Sequence, residues 1–314
     1  MSINKQDKIY IAGHTGLVGS SFVRKFKSCG YSNLILKTHD ELYLTDSAAV
    51  EDFFNKEKPD VVIDAAAKVG GIKANSEAPA DFYYINMQIQ QNLIWSAFKN
   101  NIKKFLFLGS ACMYPKECPQ PMKEEYILTG IPEPTNEGYA IAKIGGSRLC
   151  SYLFKQYGVD FISAIPANAY GIGDSFDLNH SHVIPALIRR FHEAKLNNVE
   201  SVTLWGTGKA IREFINTDDM ADACLFLLNN YSGEMPINVG TGEELSMYEL
   251  AQIIKKTTGF NGKILTDPSK PDGMMRRLCD SSKLHHLGWK SSVSLEQGIN
   301  QLYDWYLKEE YKYK

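Results

Sequence analysis

The chain has 314 residues, enough to bury a large core, and its 34 Lys and Arg against 36 Asp and Glu give a formal charge of −2. That balance excludes the broad basic field expected of a nucleic-acid or anionic-membrane binder and points to small-molecule chemistry. Six cysteines (Cys29, Cys112, Cys118, Cys150, Cys224, Cys279) lack C-x-x-C spacing, so reduced thiols, mostly packing residues, are expected, with no metal site. The first eight residues carry no apolar leader and no later run has membrane-spanning length, so a cytoplasmic protein without a membrane partner is expected.

Lys8–Ala12 reads as a strand running straight into Gly13-His14-Thr15-Gly16-Leu17-Val18-Gly19 and a helix through Ser20–Phe26. Glycines at such a turn let backbone approach a diphosphate, and the helix start supplies free N–H groups and a positive dipole end. The G-x-x-G-x-x-G spacing resembles the extended branch of the short-chain dehydrogenase/reductase superfamily. A second strand, Asn33–Leu36, ends in Lys37-Thr38-His39 without the acidic residue that would hold a ribose 2′-hydroxyl. Lys37 and His39 thus favour NADPH over NADH, the alternative being two ordinary surface residues.

Asp60–Asp64 is a third strand, followed by Ala65-Ala66-Ala67, small enough for a cofactor to lie across. An amphipathic helix covers Pro79–Asn100, and Lys104–Leu108 is a fourth strand that carries Ser110 and Cys112 just past its carboxyl end, where open α/β sheets place ligands. Tyr139 and Lys143 stand four apart on a helical run to Tyr157 and so share a face. A fixed cation beside a phenol favours phenolate, which makes Tyr139 a general acid and, with Ser110, completes a Ser–Tyr–Lys set.

Val159–Ala164 is a fifth strand, and the alternation predicts an α/β fold: a Rossmann-type doubly wound parallel sheet with a smaller C-terminal α/β substrate lobe. Residues 1–170 plus about 212–240 are expected to form the NADP-binding domain, and about 171–211 plus 241–314 the nucleotide-sugar lobe. His182–Phe191 reads as a lid or second-lobe helix. Trp205 and Arg212 bring an aromatic and a cation suited to a base and a diphosphate. Thr217 opens a helix with its own cap residues, Pro236–Gly240 returns to the sheet, Ser246 and Glu249 form a capping box, and Met274-Met275 reads as packing.

From about residue 8 to 290 the chain resembles the GDP-L-fucose synthase family. The likeness is carried by Gly13-His14-Thr15-Gly16, Ala65-Ala66-Ala67-Lys68-Val69-Gly70-Gly71-Ile72, Leu108–Pro115, Pro134–Glu137, Ser181–Leu187 and Trp205-Gly206-Thr207-Gly208. The resemblance implies a GDP-linked 4-keto-6-deoxy sugar as substrate, epimerised at C3 and C5 and then reduced at C4 with NADPH. It makes Tyr139 the proton donor to the C4 oxygen and Ser110 the group that orients the carbonyl. Lys143 would hold the nicotinamide ribose, and Cys112 and His182 would be the epimerisation pair. It further implies cofactor contacts from Gly13, Thr15, Gly16, Leu17, Val18, Gly19, Ala65, Ala66, Lys143 and His182, sugar-nucleotide contacts from Asn168, Val183, Arg190, Trp205, Arg212 and Arg276, and a homodimer built on Pro79–Asn100 and Tyr139–Tyr157. The chain departs from the family pattern at Thr15, which bears on the cofactor preference, and at Ala111; the changes at Gly138 and in Pro166-Ala167-Asn168-Ala169-Tyr170-Gly171-Ile172 remove side-chain volume or stiffness and admit an alternative, a reductase-only enzyme acting on a GDP-6-deoxy-4-keto-heptose. The strand-end Ser110-Ala111-Cys112 argues against a dehydratase of the same branch, and the intact Ser110, Tyr139 and Lys143 against a silent nucleotide-sensing protein.

Overall fold

A computed structural model describes residues 2–178 and 181–309; the parts of the expected lobes at residues 1, 179–180 and 310–314 lie outside the described residues. Strands β1 (Ile9–Ala12), β2 (Leu34–Ile35), β3 (Val61–Asp64), β4 (Lys104–Leu108) and β5 (Phe161–Pro166) join a late strand, Ile237–Val239, in one six-stranded sheet. Every pairing in it is parallel, and the order runs late strand, β5, β4, β3, β1, β2. Chain order reverses between β1 and β3, so their carboxyl ends, Ala12 and Asp64, open the crevice in which doubly wound sheets bind ligands. β1, β3 and β4 are buried along their whole length, as strands covered on both faces must be. Buried Lys104 in β4 is tolerated because Asp160 (2.9 Å) and the Tyr231 carbonyl (2.7 Å) meet its ammonium.

Helices α1 (Leu17–Ser28), α2 (Ser47–Glu57), α3 (Ile72–Glu77), α4 (Pro79–Lys99) and α5 (Glu137–Tyr157) follow strands as the alternation predicts. Asp46 caps α2 by accepting from Ala48 and Ala49, Pro79 opens α4, and Gly158 ends α5 at φ 69°. One face of the sheet buries Phe22, Phe26, Met220 and Leu227; the other buries Phe54, Leu93, Phe107 and Leu153.

Past β5 come β6 (Asn168–Tyr170), α6 (Val183–Leu196), β7 (Ser201–Trp205), β8 (Ile211–Arg212), β9 (Phe214–Asn216), α7 (Thr217–Asn230), β10 (the late Ile237–Val239 strand), β11 (Leu245–Ser246), α8 (Met247–Thr258), β12 (Lys263–Asp267), β13 (Arg276–Arg277), α9 (Ser282–Leu287) and α10 (Leu295–Glu309). A separate core of Phe176, Ile188, Phe191, Leu204, Leu250, Ile254, Ile299 and Leu302 binds α6, α8 and α10 together. On these separate cores we propose the two-lobe division given above.

The capping box at Ser246 and Glu249 forms. Two expectations are corrected. Asn216, not Thr217, caps α7, its side chain accepting from Asp218. Met275 is 54% exposed, so it is no packing residue. The cysteines expected to pack do so: Cys150, Cys224 and Cys279 are buried, and half-buried Cys29 and Cys118 lie against hydrophobic cores.

Helices α4 and α5 approach closely at Gly146, where an added Cβ would sit 2.4 Å from the Phe107 ring and 2.9 Å from the Gln90 side chain. Gly146→Val should therefore destabilise the protein by about 1–3 kcal/mol in urea unfolding. Gly71→Ala, at an exposed position whose Cβ would meet nothing within 4 Å, should be near neutral in the same measurement.

Candidate active site

A cavity of about 750 Å³ opens at the carboxyl ends of the central strands and is walled on its far side by α6, β8 and the loop after β7. At its floor lies the glycine turn. Gly13 has φ 75°, and a Cβ there would collide with Ala65 O and Ala66 Cα at 2.8 Å, so the β1 and β3 ends touch only because this residue has no side chain. Gly16 caps α1 without any side-chain bond, and the first turn of α1 holds no acidic residue. Its free N–H groups at Leu17 and Val18 thus face the cavity, which suits a diphosphate. Gly13, Thr15, Gly16, Leu17, Val18 and Ala65 line the cavity, as does Ala67.

The other expected cofactor contacts stand back. Gly19 is buried, its Cβ position 2.0 Å from Gly13 O, so it serves the close fit of α1 on the turn. Ala66 does not line the cavity and donates its N–H to Asp64 Oδ1 (3.2 Å). Lys37 and His39 also lie off the cavity, His39 exposed against the Tyr43 ring. The nearby carboxylate of Glu41 accepts from Thr38 N and Oγ1, both at 2.8 Å, and is thus committed to its own turn. The glycine cradle and this β2 end fit a 2′-phosphorylated dinucleotide.

Above the floor, Ser110, Tyr139 and Lys143 line the cavity together. Lys143 is 4% exposed; its ammonium donates to Leu108 O (2.9 Å) and lies 4.8 Å from the Phe107 ring centroid but 6.0 Å from that of Tyr139. Burial lowers the Lys143 pKa while buried Asp64 holds it up. The Tyr139 phenol is pushed up, chiefly by burial and then by Cys112, with a hydrogen bond to Ser110 acting the other way. This reverses the expected acidification: the ammonium engages strand β4 and leaves desolvation to set the phenol. At neutral pH Tyr139 keeps its proton, the state a proton donor needs.

Cys112, in the turn after β4, and His182, the residue before α6, line the same cavity. Ser110 Oγ accepts from Cys112 N (3.2 Å), and Asn136 donates its side-chain amide to Cys112 Sγ (3.1 Å). His182 Nδ1 lies 3.3 Å from Asp174 Oδ1, the carboxylate being 4% exposed and the imidazole 56%. That hydrogen bond raises the His182 pKa.

At the outer end, Trp205 (70% exposed), Arg212, Val183 and Asn168 line the cavity. Asn168 commits its amide to Glu213 O (2.7 Å), tying β6 to β9. Arg190 and Arg276 are corrections. Arg190 lies off the cavity and donates to Thr203 O (2.5 Å), while exposed Arg276 is paired with Glu244 at 2.8 Å. The arginine of β13 that reaches the cavity is Arg277. Asn136, Asp174 and Arg277 are the residues that sequence reading missed; the Pro134–Glu137 motif contained the first, but no spacing signalled its reach to Cys112. Of the small residues, Ala111, Ala167 and Ala169 line the cavity, whereas Gly138 does not: a Cβ there would lie 2.6 Å from Pro79 O. Among the described residues no cluster could hold a metal, and no helix is long and apolar enough to cross a membrane.

The model of the NAD dependent epimerase/dehydratase family matches residues 9–240. GDP-L-fucose synthase 1 of Arabidopsis thaliana is 56% identical over 305 residues, covering 97% of this chain and 94% of that protein. GDP-L-fucose synthase of Escherichia coli (strain K12) is 48% identical over 318 residues, covering 98% and 99%. A solved GDP-mannoheptose C4 reductase from Campylobacter jejuni with NADP bound matches with TM-score 0.90 at 38% identity, covering 98% of this chain and all (100%) of that one.

Replacing Asp174 by Asn removes the charge that holds the imidazolium. The His182 pKa, followed by NMR titration, should fall toward the ordinary histidine value of ~6.5; an unchanged titration would show that Asp174 does not set it.

Proposed function

This chain belongs to the NAD dependent epimerase/dehydratase family and, within it, to the GDP-L-fucose synthases; from that premise we propose that it converts a GDP-linked 4-keto-6-deoxy sugar by C3/C5 epimerisation followed by NADPH-dependent reduction of the C4 ketone. The observation that carries the reading is the convergence of Ser110, Tyr139, Lys143, Cys112 and His182 on one cavity above the glycine cradle. NADPH, when bound, supplies the two electrons for the carbonyl carbon.

The protein's own groups supply the rest. Ser110 orients the C4 oxygen, and Tyr139, kept protonated by burial, delivers its proton to that oxygen. Lys143 holds the nicotinamide ribose and fixes the helix face that carries Tyr139. Protons α to the same ketone are acidic, so Cys112 removes one and His182, charged with the help of Asp174, returns one from the other side with inversion. Trp205 stacks on the base and Arg212 faces the diphosphate.

The alanine wall of Ala111, Ala167 and Ala169 favours one second reading, a GDP-6-deoxy-4-keto-heptose as substrate with reduction alone. α4 and α5 leave Tyr84, Trp95, Ile141 and Tyr152 exposed, and this supports a homodimer through those helices. Six free thiols fit a cytoplasmic protein.

Incubation with NADPH and either GDP-4-keto-6-deoxy-mannose or its heptose counterpart in D₂O decides between the readings. Reduction of the mannose compound with deuterium at C3 and C5 is expected; heptose preference without that label would establish the reductase. Tyr139→Phe should lower reduction by roughly 10²-fold or more while NADPH still binds, as followed by fluorescence. Cys112→Ser should abolish deuterium entry at C3 and C5.

A further inference from the structure

The sulfur of Cys112 has neighbours that no helix cap or salt bridge explains. Asn136 occupies the N-cap position of α5, where an asparagine oxygen ordinarily accepts from the first turn. Here it makes no cap bond: Oδ1 is buried without a partner, and the amide nitrogen is turned to Cys112 Sγ at 3.1 Å. Arg277, brought beside the cavity by the parallel register of β13 on β8, has a buried Nε that also lacks a partner. Among the described residues Arg277 makes no ion pair; Glu133, the nearest acidic influence, is engaged by Lys116 at 3.6 Å. Its other charged and titratable neighbours are Arg212, Cys112 and Cys279. The Arg277 Nε is shut off from water and hydrogen-bonded to nothing, which is costly in a charged group. Burial disfavours its charge, yet its pKa is raised because Cys112 lies against it.

We propose that Asn136 and Arg277 are positioning residues that orient the Cys112 sulfur and stabilise the negative charge it carries during proton exchange at the substrate carbon. This rests on the epimerase reading above. In the step, the sulfur anion takes the proton from the carbon next to the ketone. The C–H electron pair becomes the enolate double bond, with the negative charge on the C4 oxygen. The His182 imidazolium then returns a proton to that carbon from the opposite side. The products are a neutral thiol and a neutral imidazole, which exchange with water to reset the pair. The amide donor of Asn136 and the adjacent positive charge of Arg277 both favour negative charge on the sulfur.

The test uses the full-length protein with NADP⁺ and reads two quantities: iodoacetamide alkylation of Cys112 at pH 7, resolved by peptide mass spectrometry, and deuterium entry at C3 and C5. In R277Q both should fall about tenfold or more, and R277K should restore most of each. Because alkylation involves no substrate, it separates support of the sulfur from any part that Arg277, as a cavity residue, takes in binding the sugar nucleotide. N136A should show the same pattern more weakly. Wild-type alkylation in R277Q and N136A would overturn the proposal. Should R277Q fail to fold, N136A and R277K decide alone, wild-type alkylation in N136A again overturning it. A wild-type enzyme without deuterium entry would overturn the epimerase reading instead, while the alkylation rates still decide the support of the sulfur.

Discussion

The architecture of the site depends on one buried ammonium. Lys143 is almost wholly enclosed, and a lone charge there would cost several kcal/mol. Leu108 O, at the end of β4, accepts one of its protons at 2.9 Å, and the carboxylate of Asp64, at the end of β3, offsets its charge. The offset is mutual: burial raises Asp64 to about 6, and Lys143 together with the Ala66 N–H pulls it back. Asp64 opposes Phe107 in the sheet register, and the Phe107 ring is what Lys143 lies over and what Gly146 makes room for. One ion therefore pins α5 to two adjacent strand ends. Tyr139, a turn earlier on the same helix, has its position fixed by that anchor.

The anchor also explains why the Tyr139 phenol keeps its proton. An i, i+4 Tyr–Lys pair is visible in sequence, and the shared face follows from helical geometry. The sign of the pKa shift does not, because it depends on how far water is removed and on what else the ammonium bonds. With the ammonium committed to Leu108 O, desolvation dominates and the phenol is raised. The hydrogen bond to Ser110 works the other way, so the hydroxyl that would orient a ketone also eases the phenol's proton transfer.

The strand–glycine–helix turn, the alternation of strands and helices that implies a parallel sheet and the ends of α4 and α5 were legible because they depend on neighbours in sequence: alternation, glycine, proline and cap residues. What was not legible depends on distant pairing. Arg276 and Arg277 show the difference. Side chains alternate along a strand, so adjacent residues point to opposite faces. The two-residue β13 is placed by pairing with β8, and that register turns Arg277 to the cavity and Arg276 to Glu244. No local signal distinguishes two adjacent arginines. Asn136 and Cys112 are likewise 24 residues apart, and only the fold brings them together.

The small residues that suggested a larger sugar divide on physical grounds. Gly138 is small because α5 begins against Pro79 of α4, where a Cβ would meet the Pro79 carbonyl at 2.6 Å. Its absence of a side chain is a packing requirement and adds no room to the cavity. Ala111, Ala167 and Ala169 do face the cavity, on the turn after β4 and around the ends of β5 and β6. On the proposed reading, any extra carbon must lie along that alanine wall, while the nucleotide end stays fixed between Trp205 and Arg212. A pocket that merely has space for one more methylene gains or loses only about 1–3 kcal/mol by filling it. On that reading the alanine wall sets a graded preference between hexose and heptose, whereas the chemistry, proton exchange as well as reduction, would fall to Cys112, His182 and Tyr139.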